Sequence, residues 1–253
     1  MRFALSFMAL GVTAALAQAS ESDRSLLLFS KTAGYRHASI ANAIELVTSI
    51  SSENGWAVTT TEDSSVFLSE GLSKYSSLVF LHTTGDFATN EEFEGLHQYL
   101  LNGGSWLGIH AAGDFGNNTP AWYNTLVGGQ LERYPTGGNL RPDIVTIQDI
   151  THPSTMKLPV SQNRTDEWYS YRTNPSQSPL YTVLAVLEET YIDEITPEYL
   201  SMQPDHPISW HSTFEGKARS WYTGMGHTVE SYVELYFVEH VTGGLKWVLG
   251  LTD

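Results

Sequence analysis

Three short stretches, "SLLLFS" (Ser25 to Ser30), "SLVFLH" (Ser77 to His82) and "SWLGIH" (Ser105 to His110), are apolar almost throughout. A strand with apolar side chains on both sides needs cover on both faces, so such runs belong inside a parallel sheet flanked by helices. The intervening segments supply the cover. Ile40, Ile44, Val47 and Ile50 recur at helical spacing, and "WAVTTT" (Trp56 to Thr61) reads as a second strand. Asn90 is expected to cap a helix with Glu91 and Glu92 in its first turn, an apolar stripe of Phe93, Leu96, Tyr99 and Leu100, and a stop at Asn102-Gly103-Gly104.

The alternation predicts an α/β chain with a flavodoxin-like, three-layer fold, a mainly parallel sheet with helices on both faces. In the second half, "PDIVTIQ", "YTVLAVLE", "HPISWHS" and "ARSWYTGMGH" read as additional strands, and a helix is expected from about Val233 to Leu249 despite Gly243-Gly244. No linker or internal repeat divides the chain, so residues 20–253 are read as a single domain. Residues 1–19, "MRFALSFMALGVTAALAQA", have a basic start, an apolar stretch and small residues suited to cleavage. They predict a secretory signal peptide and a secreted, extracellular protein without a membrane anchor.

In a doubly wound sheet, ligands bind beyond the C-terminal ends of the strands. The loops there hold Tyr35-Arg36-His37, His82 to Asp86 and His110 to Asp114. Gly108-Ile109-His110-Ala111-Ala112 has the small flanking residues of a nucleophile elbow, with an imidazole at the position of the Ser or Cys. Acyl transfer therefore loses its central atom, leaving His110 as a base, an acid, a metal ligand or a hydrogen-bond donor. Asp86 and Asp114 are read as ligand contacts or helix caps, and Arg36 as a ligand contact or the ion-pair partner of Asp114 or Glu167.

"TDEWYSY" sets Asp166 and Glu167 beside Trp168 and Tyr169, pairing carboxylates with aromatic surface as sugar sites do. Adjacent residues of a strand face opposite ways, so only one carboxylate can share a cleft with His110, and Glu167 is favoured. "DHPISWH" adds His206, Trp210 and His211, and "GMGH" adds His227. His37, His110, His206 and His227 are enough imidazoles for a divalent metal ion, although no close ligand spacing marks one.

The motifs "KTAGYRHASI", "TTGDF", "GGSWLGIHAAGDF", "WYNTLVGG", "THPSTMKLP", "DEWYSY", "DHPISWH", "ARSWYTGMGHT" and "HVTGGLKWVLG" together resemble, in order, those of the trehalose-utilisation (ThuA-like) family. That family belongs to the class I glutamine-amidotransferase-like superfamily. The chain departs from its pattern at His82, where a small polar residue is common, and at Glu132-Arg133-Tyr134, where a family-like histidine is absent. The resemblance implies carbohydrate metabolism and points to 3-keto sugars.

The implied reading is a glycoside hydrolase or lyase on keto-sugar derivatives. His110 would act as base, Glu167 or His227 as acid, and Arg36 or a metal ion would stabilise the enediolate. His37, Asp86, Asp114, Trp168, Tyr169 and Trp210 join Arg36 as expected carbohydrate contacts. The alternative is a non-catalytic sugar-binding protein on the same scaffold.

The chain has no cysteine, which excludes glutamine amidotransfer and any disulfide. Its net charge of −15 argues against nucleic acid as a partner. Asn117-Asn118-Thr119 and Asn163-Arg164-Thr165 are sequons for N-glycosylation in a secreting eukaryote.

Overall fold

The computed structural model describes residues 24–251 apart from 69, 136–137 and 193–199; the signal peptide expected over residues 1–19 lies outside the described residues. In chain order the elements are β1 (Ser25–Phe29), α1 (Ile40–Glu53), β2 (Ala57–Thr61), β3 (Ser77–Leu81), β4 (Thr84–Gly85), α2 (Asn90–Leu101), β5 (Trp106–Ile109), β6 (Asp114–Phe115) and α3 (Ala121–Val127). They continue with β7 (Leu131–Arg133), β8 (Leu140–Ile147), β9 (Ser161–Glu167), β10 (Ser170–Tyr171), β11 (Tyr181–Leu187), β12 (His206–Phe214), β13 (Ala218–Thr223) and α4 (Leu235–Val248).

Nine strands form one sheet in the order β2-β1-β3-β5-β13-β12-β11-β8-β9. The first five pair in parallel and, counted among themselves, follow the 2-1-3-4-5 order of a flavodoxin-like sheet. The other four extend it by antiparallel pairing. Their alternation brings β11 and β9 back to the direction of the parallel set, so β9 also ends at the edge where the parallel strands end.

The apolar runs bury both faces, as their composition requires. Leu26 and Leu28 of β1 pack with α1 and α4 through Val47, Ile50, Val241 and Leu245. Leu27 and Phe29 point the other way, among Phe93, Leu96 and Leu126 of α2 and α3. Helices thus cover both faces, giving three layers. Among the described residues no helix is long and apolar enough to cross a membrane. Asn117 and Asn163 are exposed.

One local expectation changes, and one strand lay outside the apolar pattern. Asn90 is the first helical residue of α2; the cap is Thr89, whose hydroxyl accepts the Glu92 N–H while the Glu92 carboxylate takes the Thr89 N–H. β9, "SQNRTDE", carries no apolar residue, and as an edge strand it needs none.

The glycines of α4 are explained by what lies beside them. A Cβ on Gly243 would stand 2.1 Å from the Pro153 carbonyl oxygen, and one on Gly244 2.8 Å from the Trp221 ring. The helix therefore approaches the backbone of residues 153–154 more closely than alanine permits. Gly243→Ala should lower stability by about 1–3 kcal/mol, even though alanine gains roughly 1 kcal/mol in helix propensity. Urea denaturation measures this, and an unchanged or higher midpoint would show that the approach is not tight.

Candidate functional site

The strand ends converge their histidines. His82 and His110 stand directly after β3 and β5 with φ of +55° and +50°, in the left-handed region that side chains with a Cβ avoid. Such backbone is held only where its surroundings insist. For His110 they do. The Tyr222 hydroxyl donates to its carbonyl at 2.7 Å, its Nδ1–H donates to the Gly224 carbonyl at 2.7 Å, and the Tyr169 ring stacks on the imidazole at 4.3 Å. Gly108 has no room for a side chain, since a Cβ there would stand 2.1 Å from the Trp106 ring. The bend is thus an elbow in backbone conformation, with an imidazole where a nucleophile would sit.

His37 is buried in the loop after β1, its ring 5.0 Å from those of His110 and His227 and 4.9 Å from that of His82. That loop is pinned to the next one. Ala33 N–H donates to the Thr84 carbonyl at 2.8 Å, Gly34 N–H to the Thr84 hydroxyl at 3.1 Å, and that hydroxyl to the Tyr35 carbonyl at 3.0 Å. His82 lies in the layer behind, its Nε2 2.6 Å from the Tyr232 hydroxyl.

At the end of β9 the two neighbouring carboxylates part. Asp166 turns inward, accepting the N–H groups of Gly226 at 2.8 Å and His227 at 3.0 Å, and so fixes the loop after β13. Glu167 faces the histidines. Its Oε2 stands 3.2 Å from His110 Nε2 and 3.0 Å from His227 Nδ1, those two nitrogens are 3.1 Å apart, and Asn139 donates to Oε1 at 2.5 Å.

Burial opposes the Glu167 charge, but its close contacts with His110 and His227, with Asn139 adding to them, outweigh it and hold the pKa well below the usual carboxylate range. Burial likewise opposes a charge on His227, yet the Glu167 hydrogen bond and charge, with Asp166, raise its pKa above that of free histidine. Burial, then His110 and His227, push His37 down to about 3, so its ring is neutral.

These groups form one side of a cavity of about 180 Å³. His37, Glu167, His227, Asn139, Asp114, Leu131 and Tyr169 line it. Tyr35 and Tyr134, 66% and 43% exposed, stand at its mouth. Burial raises the Asp114 pKa to about 6, His110 opposing and Glu167 adding to the rise. A larger cavity of about 680 Å³ lies at the opposite edge of the sheet, near Arg24, Ser105 and Arg219, remote from every histidine just named.

Of the residues singled out in the sequence, His37, His110, Glu167, His227, Asp114 and Tyr169 are brought together. His110, wholly buried, does not line the cavity but touches Glu167 and His227, which do. Others lie elsewhere. His206 is buried with Nδ1 2.8 Å from Glu189 and Nε2 2.9 Å from the Tyr169 carbonyl, so both its nitrogens are engaged and Glu167 stands in its place in the cluster.

Trp168 and Trp210 are core residues whose indole N–H groups donate to the Arg141 and Val127 carbonyls, leaving no face for a ligand. Arg36 turns outward to Glu62 at 2.7 Å, pairing with neither Asp114 nor Glu167. Asp86 accepts from Asn118 and ties two loops together. His211 stacks on His152 at 4.6 Å in a separate histidine group. Sequence reasoning missed Asn139, which sits in an irregular segment with no periodic signal, and the mouth residues Tyr35 and Tyr134, although both lie in loops it had marked.

Over residues 25–248 the sequence matches the model of a family described as ThuA, trehalose utilisation. The chain belongs to the ThuA family. Membership ties it to sugar metabolism. The solved structure of a ThuA-like protein from Bacteroides uniformis is similar to this ThuA-family chain with a TM-score of 0.75 and 23% identity, covering 93% of this chain and 95% of that one. A ThuA-like protein from Parabacteroides merdae gives a TM-score of 0.69 and 18% identity over 89% and 90% of the two chains. At these identities the likeness concerns the fold. No curated protein matches the sequence.

Proposed function

We propose that this protein is a secreted enzyme that acts on a sugar, with keto-sugar glycosides as the substrate class, by proton transfer leading to elimination or hydrolysis. One observation carries the reading. A half-buried carboxyl group with a pKa of about 6, Asp114, lines a small cavity together with two imidazoles, a carboxylate and two exposed tyrosines. A general base works best when its pKa lies near the operating pH. The tyrosine rings suit the apolar face of a sugar, and the cavity takes in the reacting ring while leaving the remainder outside.

In a 3-keto glycoside the carbonyl acidifies the hydrogen on C2. Asp114 removes that proton, the C2 electron pair moves into an enediolate, and the imidazole cluster faces the oxygen where negative charge develops. Expulsion of the C1 substituent then re-forms the carbonyl and leaves a C1–C2 double bond. The departing oxygen takes the proton that Asp114 removed, which restores the carboxylate, and water added across the double bond completes a hydrolysis.

This moves the base from His110 to Asp114, because His110 does not reach the cavity. It also removes Glu167 as an acid, since its environment keeps it ionised. Secretion is supported by the signal-like residues 1–19. Exposed Asn117 and Asn163 are the positions proposed for glycans.

Incubating the purified protein with glucosides and their 3-keto derivatives tests the reading. Release of the alcohol from the 3-keto compounds alone is expected, with a raised KM in Tyr35→Ala and Tyr134→Ala. Binding across the panel without any turnover would replace the enzyme with a sugar-binding protein.

A further inference from the structure

The contacts among His110, His227 and Glu167 cannot all be hydrogen bonds. His110 has committed its Nδ1–H to the Gly224 carbonyl, so Nε2 of the neutral ring presents a lone pair. That lone pair meets Glu167 Oε2 at 3.2 Å and His227 Nδ1 at 3.1 Å, while the latter two are 3.0 Å apart. A ring nitrogen that donates has no in-plane lone pair left to accept. With Glu167 ionised and so able only to accept, the three mutually adjacent atoms leave one contact of donor against donor or lone pair against lone pair however the two rings are protonated, inside a buried site where such a contact is costly. Protons do not resolve the triangle, and a single cation at its centre does.

We propose that His37, His110, Glu167 and His227 bind a divalent first-row transition-metal ion. A metal about 2.0–2.2 Å from each donor sets donor–donor edges of about 3.3–3.6 Å in a tetrahedron and about 2.8–3.1 Å in an octahedron. The observed 3.0–3.2 Å fits that range. His37 supplies the fourth donor: one ligand atom from each of the four residues lies within 4.8 Å of the others, and the buried His37 Nδ1 has no hydrogen-bond partner.

Three imidazole nitrogens and one carboxylate oxygen form a borderline donor set, suited to Zn²⁺, Co²⁺, Mn²⁺ or Fe²⁺ rather than to Ca²⁺ or Mg²⁺. The supporting contacts are those that metal sites use. The Gly224 carbonyl orients His110, Asn139 holds the other oxygen of Glu167, and Asp166 anchors the His227 backbone.

The inference rests on the proposed function and deepens it by placing a Lewis acid at the cavity that Asp114 also lines, where a keto oxygen would be polarised. It is tested separately, on full-length mature protein stripped with a chelator, dialysed and titrated with Co²⁺ while visible absorption is recorded. Zn²⁺ binding is followed in parallel by calorimetry. A single equivalent per chain is expected, with the absorption bands of nitrogen- and oxygen-coordinated Co²⁺.

Affinity should fall by more than about 100-fold in His37→Ala and in Glu167→Gln, and stay unchanged in His97→Gln, which alters a histidine on α2 outside the cluster. The proposal is overturned if stripped, folded protein takes up no Co²⁺ or Zn²⁺, or if both cluster variants bind as tightly as the parent. Sugar turnover by a protein that takes up neither ion overturns the metal site while leaving the enzyme reading intact. Metal bound in the cluster without turnover of any sugar supports the metal site and sinks the enzyme reading instead.

Discussion

Asp114→Asn should reduce kcat/KM on a 3-keto glucoside by about 10²–10⁴-fold, the range that a positioned general base contributes, with little change in thermal stability. The side chain is half-buried beside the cavity, and its two forms differ mainly in charge. The parent's pH profile identifies the group. Burial raises the Asp114 pKa to about 6, so the carboxylate needed to accept the C2 proton predominates above that pH and is lost as pH falls through it. Activity should therefore drop on the acidic side near pH 6, one proton at a time, and the residual activity of Asp114→Asn should lack that limb. Measuring kcat/KM from pH 4.5 to 8 for both proteins decides the matter. A variant that keeps the limb, or keeps the activity, assigns the base elsewhere.

The parallel half of the sheet was legible because its strands are buried on both faces, which leaves no choice but continuous apolar runs such as Leu26–Phe29. β9 escaped the apolar reading because an edge strand can be polar throughout. The site was legible in so far as topology determines it: strands that run together end together, so the loops after β1, β3, β5 and β13 had to be neighbours.

Topology does not say which way a side chain turns at the rim. Trp210 and His206 carry chemistry typical of sugar and metal sites, yet packing and a local acceptor claim them. Glu167 took the place expected of His206 because the alternation of β9 sends Asp166 inward and its neighbour toward His110. Asn139 lies in the irregular segment just before β8, where neither period nor composition marks a residue, and only the assembled fold brings it to Glu167.

Asp166 should matter most to the folded state, and Asp166→Ala should cost about 3–5 kcal/mol, on the order of 10 °C in Tm for a chain of this size. The carboxylate is wholly buried and accepts the N–H groups of Glu167, Gly226 and His227, and Arg164 Nη1 lies 3.8 Å away. Alanine would leave those amides without an acceptor in a space too polar to close over. Arg164 would keep only Glu234 as a charged partner, at 2.6 Å.

The consequence reaches the site through the backbone. Gly226, with φ of +108°, makes the turn that presents His227, and its amide is held by Asp166. Asp166→Asn separates charge from hydrogen bonding: its amide oxygen can still accept, so it should lose less stability than alanine and still weaken the hold on His227. Thermal and urea denaturation of both variants, with Co²⁺ affinity measured below the lower Tm, should rank parent, asparagine and alanine in that order on both scales. Equal stability of parent and alanine variant would mean that the loop after β13 is held by packing alone.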